Sequence, residues 1–177
     1  GAVFSHMAVM YSYALYKQGF VKEGYKVLKT LLDTAMDFDR SKMYPGVPEY
    51  FDNDGRGLYS YLTGAASWYM LTMITEVFGV RGELGNLVIK PALLPEQFDK
   101  DGKAAIKLNF SGRTLKITIH ADIDNIQDNN GVYNKIIRVE CDGNELESAD
   151  LKKVVIMKKR IEEMSCGRCH EIDVFIK

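Results

Sequence analysis

Met70 to Ile89 reads MLTMITEVFGVRGELGNLVI, and the hydrophobic pattern changes period at Gly79. Before that glycine, Met70, Leu71, Met73, Ile74, Val77 and Phe78 surround a helical period with apolar groups on most sides. This predicts a helix from about Gly64 to Phe78 that is buried on most of its surface. After it, Leu87-Val88-Ile89 opens a series of short runs that read as strands. Helices first and sheet second is an α+β pattern.

Working outward toward the N-terminus, residues 2 to 18 place Val3, Phe4, Met7, Met10, Tyr11, Ala14 and Leu15 at spacings of three and four. That predicts a helix closed by Gly19 as C-terminal cap. From Val21 the pattern resumes with Tyr25, Leu28, Leu31, Leu32, Ala35 and Met36, with Lys22, Glu23, Lys26, Lys29 and Asp33 on the other face. So short a link makes the pair an antiparallel αα-hairpin. Asp39 to Gly57 holds too many prolines and glycines for a helix or a central strand. Three helices, one of them apolar nearly all round, cannot cover one another. The helical part therefore reads as the C-terminal piece of a larger helical domain.

Toward the C-terminus, the runs at 105–110, 115–119, 136–141, 154–157, 160–164 and 171–176 join 87–89 as seven expected strands. Ser111-Gly112-Arg113 and Asp142-Gly143 supply hairpin turns. The set predicts an antiparallel β-sandwich over residues 83–177, following a helical segment over 1–82.

The 177 residues, 46% of them hydrophobic, suffice for a real core. Lys+Arg 23 against Asp+Glu 24 gives a net charge of −1, so no overall field draws nucleic acid or an anionic membrane. No apolar run approaches the ~20 residues of a membrane span. Gly1-Ala2-Val3-Phe4 lacks the features of a signal peptide, so the chain reads as cytoplasmic or as missing its true start. Cys141, Cys166 and Cys169 form an odd set, which reads as reduced thiols.

The chemistry gathers between Tyr44 and Trp68, YPGVPEYFDNDGRGLYSYLTGAASW, where a polar loop runs into a helix start at Leu62-Thr63-Gly64. Backbone N–H groups and the positive end of a helix dipole meet there, as an anion site requires. Thr63 either caps the helix or donates to a phosphate oxygen, and Gly64 admits close approach to the backbone. His6 opens the first helix, where its imidazole can reach the same anion. A lone histidine is more often a packed or surface residue than a ligand-binding one. Ser5-His6-Met7 also spells an expression-tag scar, against which the apolar residues before it argue. Glu49 and Tyr50 suit a sugar, the aromatic ring stacking and the carboxylate accepting hydroxyl protons. Arg56, between two glycines, either binds an anion or pins the loop. Cys166-Gly-Arg-Cys169-His170 spells a haem attachment or half a zinc site, but sits in a tight turn without a second ligand pair. His120 ends a strand run with no partner in sequence and no assigned role.

Taken together, Gly-Ala-Val-Phe-Ser-His6, Tyr44 to Phe51, Gly55-Arg-Gly, Tyr61 to Trp68 and Glu76 to Gly82 resemble the C-terminal portion of glycoside hydrolase family 94. These are inverting disaccharide and oligosaccharide phosphorylases, and the wording is most similar to the 1,2-β-oligoglucan phosphorylase branch. The resemblance covers roughly residues 1 to 100. It implies the last helices of an (α/α)6 barrel followed by a jelly-roll-like β-sandwich. It also implies a phosphate site at His6, Thr63 and Gly64 and a substrate site at Glu49, Tyr50 and Arg56. The general acid, an aspartate, and a phosphate-clamping arginine lie upstream in the family, so no catalytic residue is assigned in this chain. The implied reaction is phosphorolysis of a β-glucan oligosaccharide or disaccharide to α-glucose 1-phosphate. It needs no cofactor or metal, only inorganic phosphate as co-substrate. The missing N-terminal part of the same protein is the implied partner, and a homodimer is compatible with this reading.

Two other classes fit parts of the pattern. One is a non-catalytic carbohydrate-binding or structural β-sandwich module. The other is part of a glucan hydrolase or cyclic glucan synthase, in which water or a sugar takes the place of phosphate.

Overall fold

A computed structural model describes residues 1–43, 46–59, 64–121, 132, 135–146 and 152–177. The fold is α+β, and the chain divides into two compact units, Gly1–Glu76 and Val77–Lys177. The division falls a few residues before the boundary read from periodicity.

In the first unit, β1 (Val3–Phe4) precedes α1 (Ser5–Lys17), so the helix begins later than its apolar spacing suggested. Val3 and Phe4 pair instead with Phe51 and Tyr50. The Ser5 amide donates to the Glu49 carbonyl at 2.8 Å, fixing the point where strand becomes helix. At the far end, the Gly19 amide bonds to Tyr16 O and the Phe20 amide to Leu15 O, a Schellman motif around the expected cap. The helix α2 (Val21–Met36) follows immediately, as expected.

The seam between α1 and α2 is not built from the apolar stripe of α1. Met7 and Tyr11 are exposed, whereas Ser5, Val9, Ser12 and Tyr16 are buried. Ser12 Oγ donates to Gly24 O at 2.8 Å, and a Cβ on Gly24 would fall 2.6 Å from Tyr16 Cδ2. Small residues let the helices approach this closely, and the hydroxyl satisfies a carbonyl inside the seam.

After α2, Asp37 caps the short α3 (Phe38–Ser41) by accepting from the Arg40 amide. The long connection then forms β2 (Tyr50–Phe51) and β3 (Gly57–Leu58), which complete a three-stranded sheet in the order β1-β2-β3. The helix α4 (Gly64–Thr72) passes into a π-helical turn, Met73–Val77. The threonine hydroxyls of Thr72 and Thr75 donate back to Trp68 O and Leu71 O along this stretch. Burial on most sides is not observed: Met70 and Leu71 are 58% and 41% exposed. Helix α4 packs on α1, and Tyr69 Oη reaches Leu28 O on α2, leaving the remaining face uncovered.

In the second unit, β4 (Val80–Glu83) and β5 (Asn86–Ile89) form a hairpin through Leu84-Gly85, and β10 (Val154–Ile156) adds to β5. The larger sheet has five strands in the order β6-β7-β11-β8-β9. They are β6 (Lys103–Phe110), β7 (Arg113–Ala121), β8 (Ile136–Cys141), β9 (Asn144–Glu145) and β11 (Cys169–Ile176). Both expected hairpin turns are present, joining Phe110 to Arg113 and Cys141 to Asn144.

Two expectations for this unit need correction. Strands β7 and β11 pair in parallel from Cys169–Thr114 to Ile176–Ala121, so the sheet is mixed, not antiparallel. Hydrophobic alternation fixes which face of a strand is buried but carries no information on its direction. Residues 160–164 form no strand either: α5 (Lys158–Glu163) is a helix with Ile161 buried. It is built from good helix formers, with Lys158 and Glu162 one turn apart at 3.6 Å.

The core of this unit lies on one face of the larger sheet, where Leu115, Ile117, Ile119, Val139, Ile172 and Val174 are wholly buried. Among the described residues no helix is long and apolar enough to cross a membrane.

Candidate functional site

His6 lies in the first turn of α1 and Gly64 is the first residue of α4, and the fold sets one against the other. A Cβ on Gly64 would fall 2.5 Å from His6 Nδ1 and 2.8 Å from Nε2, so only a residue without a side chain lets the imidazole lie on this backbone. The ring is held from the sides by Phe4, edge-on at 5.8 Å, and by Trp68, tilted at 6.1 Å. Trp68 is itself braced by Tyr13 at 5.4 Å.

Among the described residues, His6 Nε2 is buried without a hydrogen-bond partner, and so is the hydroxyl of the adjacent Ser5, a residue wholly shielded from solvent. Buried polar groups are nearly always satisfied, so two such atoms in consecutive residues, beside the first residue of α4, set this place apart. Thr63 lies outside the described residues.

The expected sugar-binding residues divide. Tyr50 stacks on Phe4 at 4.8 Å with its ring nearly parallel, and Tyr59 leans on it at 5.7 Å. The Glu49 carbonyl holds the Ser5 amide, and its carboxylate has no partner among the described residues. These two positions join the His6 and Gly64 cluster through β1 and β2. Arg56 does not. It sits in the tip turn, where Asp52 Oδ1 accepts from the amides of Asp54 and Arg56 at 3.0 and 2.9 Å. Arg56 is exposed, and its guanidinium has no partner among the described residues.

Ser5, Phe4 and Trp68 belong to the cluster without having been singled out from sequence. Trp68 lies four residues after Gly64, one helical turn on, and that spacing is the signal that would have found it. A separate cavity of about 440 Å³ in this unit is lined by Val3, Ala8, Leu31, Arg40 and Phe51 among others. Neither His6 nor Gly64 lines it.

The second unit holds two histidine–aspartate pairs. His120, given no partner by sequence, donates from Nε2 to Asp173 at 2.7 Å and stacks on Phe175 at 4.5 Å. Arg138 sits over that same phenyl ring at 3.9 Å. His170, almost wholly buried, has Nδ1 at 2.7 Å from Asp142 Oδ2 and Nε2 at 3.0 Å from Ser165 O. Both ring nitrogens are engaged, so His170 cannot join the neighbouring thiols as a ligand. Partial burial works to raise the Asp142 carboxyl. Hydrogen bonds from His170, the Glu171 amide and Arg168 together outweigh it and hold the group below its ordinary range. Among the described residues no three His, Cys, Asp or Glu side chains form a metal-binding group.

Compared with known proteins, the chain matches no family model and none of the curated proteins.

Proposed function

We propose that the first unit carries the phosphate-binding side of an inverting glycoside phosphorylase that cleaves β-glucosidic bonds to give α-glucose 1-phosphate. The observation that supports it most is the buried His6 Nε2, without a partner among the described residues, lying on Gly64 at the start of α4. Phosphate needs no base to become a nucleophile. It needs fixed donors and charge compensation, which the imidazole, the Ser5 hydroxyl and the first amides of α4 are suited to supply. Attack on the anomeric carbon, opposite to protonation of the leaving oxygen by a carboxylic acid, inverts the configuration. That acid is proposed to come from another part of the intact protein.

The uncovered apolar groups Met7, Tyr11, Met70 and Leu71 support the view that further helices, as in an (α/α)6 barrel, cover α1 and α4. Tyr50 and Glu49 are proposed to face the sugar, by stacking and by accepting hydroxyl protons.

The test is product formation by the intact protein on β-linked gluco-oligosaccharides, with and without inorganic phosphate. Glucose 1-phosphate that appears only with phosphate, and a loss of at least ~10-fold in kcat/KM for phosphate in His6→Ala, is the expected outcome. Free glucose formed without phosphate, or unchanged phosphate dependence in His6→Ala, overturns the reading.

A further inference from the structure

The segment Ser165–His170 is closed on itself. The Ser165 carbonyl lies 3.0 Å from Nε2 of His170, so the residues at the two ends of Cys166-Gly167-Arg168-Cys169 are tied together. Cys166 and Cys169 are the first residues inside that tie, with Gly167 at φ +87° turning the chain between them. Fully extended, three residues span about 10 Å. A disulfide needs Cα atoms about 4.4–6.8 Å apart, a separation that requires this segment to be turned and not extended.

The loop is also anchored from outside. Arg168 Nη2 donates to Asp142 Oδ2 at 2.6 Å, and the same carboxylate oxygen accepts from His170 Nδ1. Both thiols are free and exposed, and among the described residues Cys169 Sγ makes a weak bond to His170 O at 3.9 Å. Cys141 contrasts with them: it is buried, and burial followed by the nearby Asp142 pushes its thiol up.

We propose that Cys166 and Cys169 are a reversible thiol–disulfide couple, oxidised by low-molecular-weight disulfides. One thiolate attacks a sulfur of the oxidant and displaces one thiolate. The second cysteine then attacks the protein-bound sulfur and displaces the other. Two electrons pass from the cysteine sulfurs to the oxidant, whose two released thiolates take up the two protons.

The experiment treats the full chain with oxidised glutathione and maps the products by mass spectrometry. The expected product is a single intramolecular Cys166–Cys169 bond that dithiothreitol reverses, with Cys141 reacting at least ~10-fold more slowly. Cys166→Ser and Cys169→Ser should each stop at a stable mixed disulfide. The loop's closure should also make ring formation at least ~10-fold more favourable in the folded chain than in the urea-unfolded chain. Two separate glutathione adducts, an intermolecular link, or equal ring formation in the folded and unfolded chains overturns the proposal.

Discussion

The imidazole of His6 lies directly over the backbone of Gly64, so close that a methyl group on that glycine would fall 2.5 Å from Nδ1. Two elements far apart in sequence are thereby locked at their N-terminal ends, with a ring nitrogen that has no partner among the described residues.

Gly64→Ala should therefore destabilise the protein by roughly 1–3 kcal/mol, as overpacking does, by pushing the ring off its seat. Adding His6→Ala should relieve part of that cost. Denaturant unfolding of the two single variants and the double variant is expected to give a coupling of at least ~1 kcal/mol. Additive losses would mean that the two residues do not meet.

The Asp142 carboxyl is held below its ordinary range, so its contribution is fully present above the unfolded value near ~3.9 and is lost as pH falls through the folded value. Asp142→Asn should lower stability by roughly 1 kcal/mol at neutral pH, the carboxylate being partly solvated. The loss should shrink as the pH falls below 4, where the wild-type group also becomes neutral. Thermal melts of both proteins across that range check the sign, and a gap that widens in acid would contradict it.

Tyr69 is pushed up to about 12, first by burial and then by Tyr25 and Asp33. Stability from the neutral phenol is intact below the unfolded value near ~10 and is lost as pH rises through the folded value. Tyrosinate absorbance should show a late phase that Tyr69→Phe removes. In that variant, stability should also fall less steeply between about pH 10 and 12. A titration in which Tyr69→Phe deletes an early phase would refute this.

The α2 helix, the cap at Gly19 and the hairpins at Ser111-Gly112 and Asp142-Gly143 were all legible in the sequence, because each is set by neighbours a few residues apart. So was the α+β order, since a helix and a strand impose different periods on their apolar residues. Local pattern misled at residues 160–164, where hydrophobic content suggested a strand and helix-forming neighbours made a turn and a half of α5. For the candidate site, the sequence supplied His6, Gly64, Glu49 and Tyr50. It gave no sign that Ser5 completes the cluster or that Arg56 stands apart in a hairpin tip, whereas the one-turn spacing of Trp68 from Gly64 did carry a signal.

What the sequence determined by itself is the α+β order, the longer helices and most of the strands, and the chemical character of the loop before α4, all of them local properties. Only the tertiary structure decided that β7 and β11 run parallel and that α1 meets α2 through Ser12 and Gly24. It also seated His6 on Gly64 and closed Ser165 onto His170. Strand direction, close helix approach and side-chain burial depend on partners that are distant along the chain. No short-range pattern encodes which of those partners will be met.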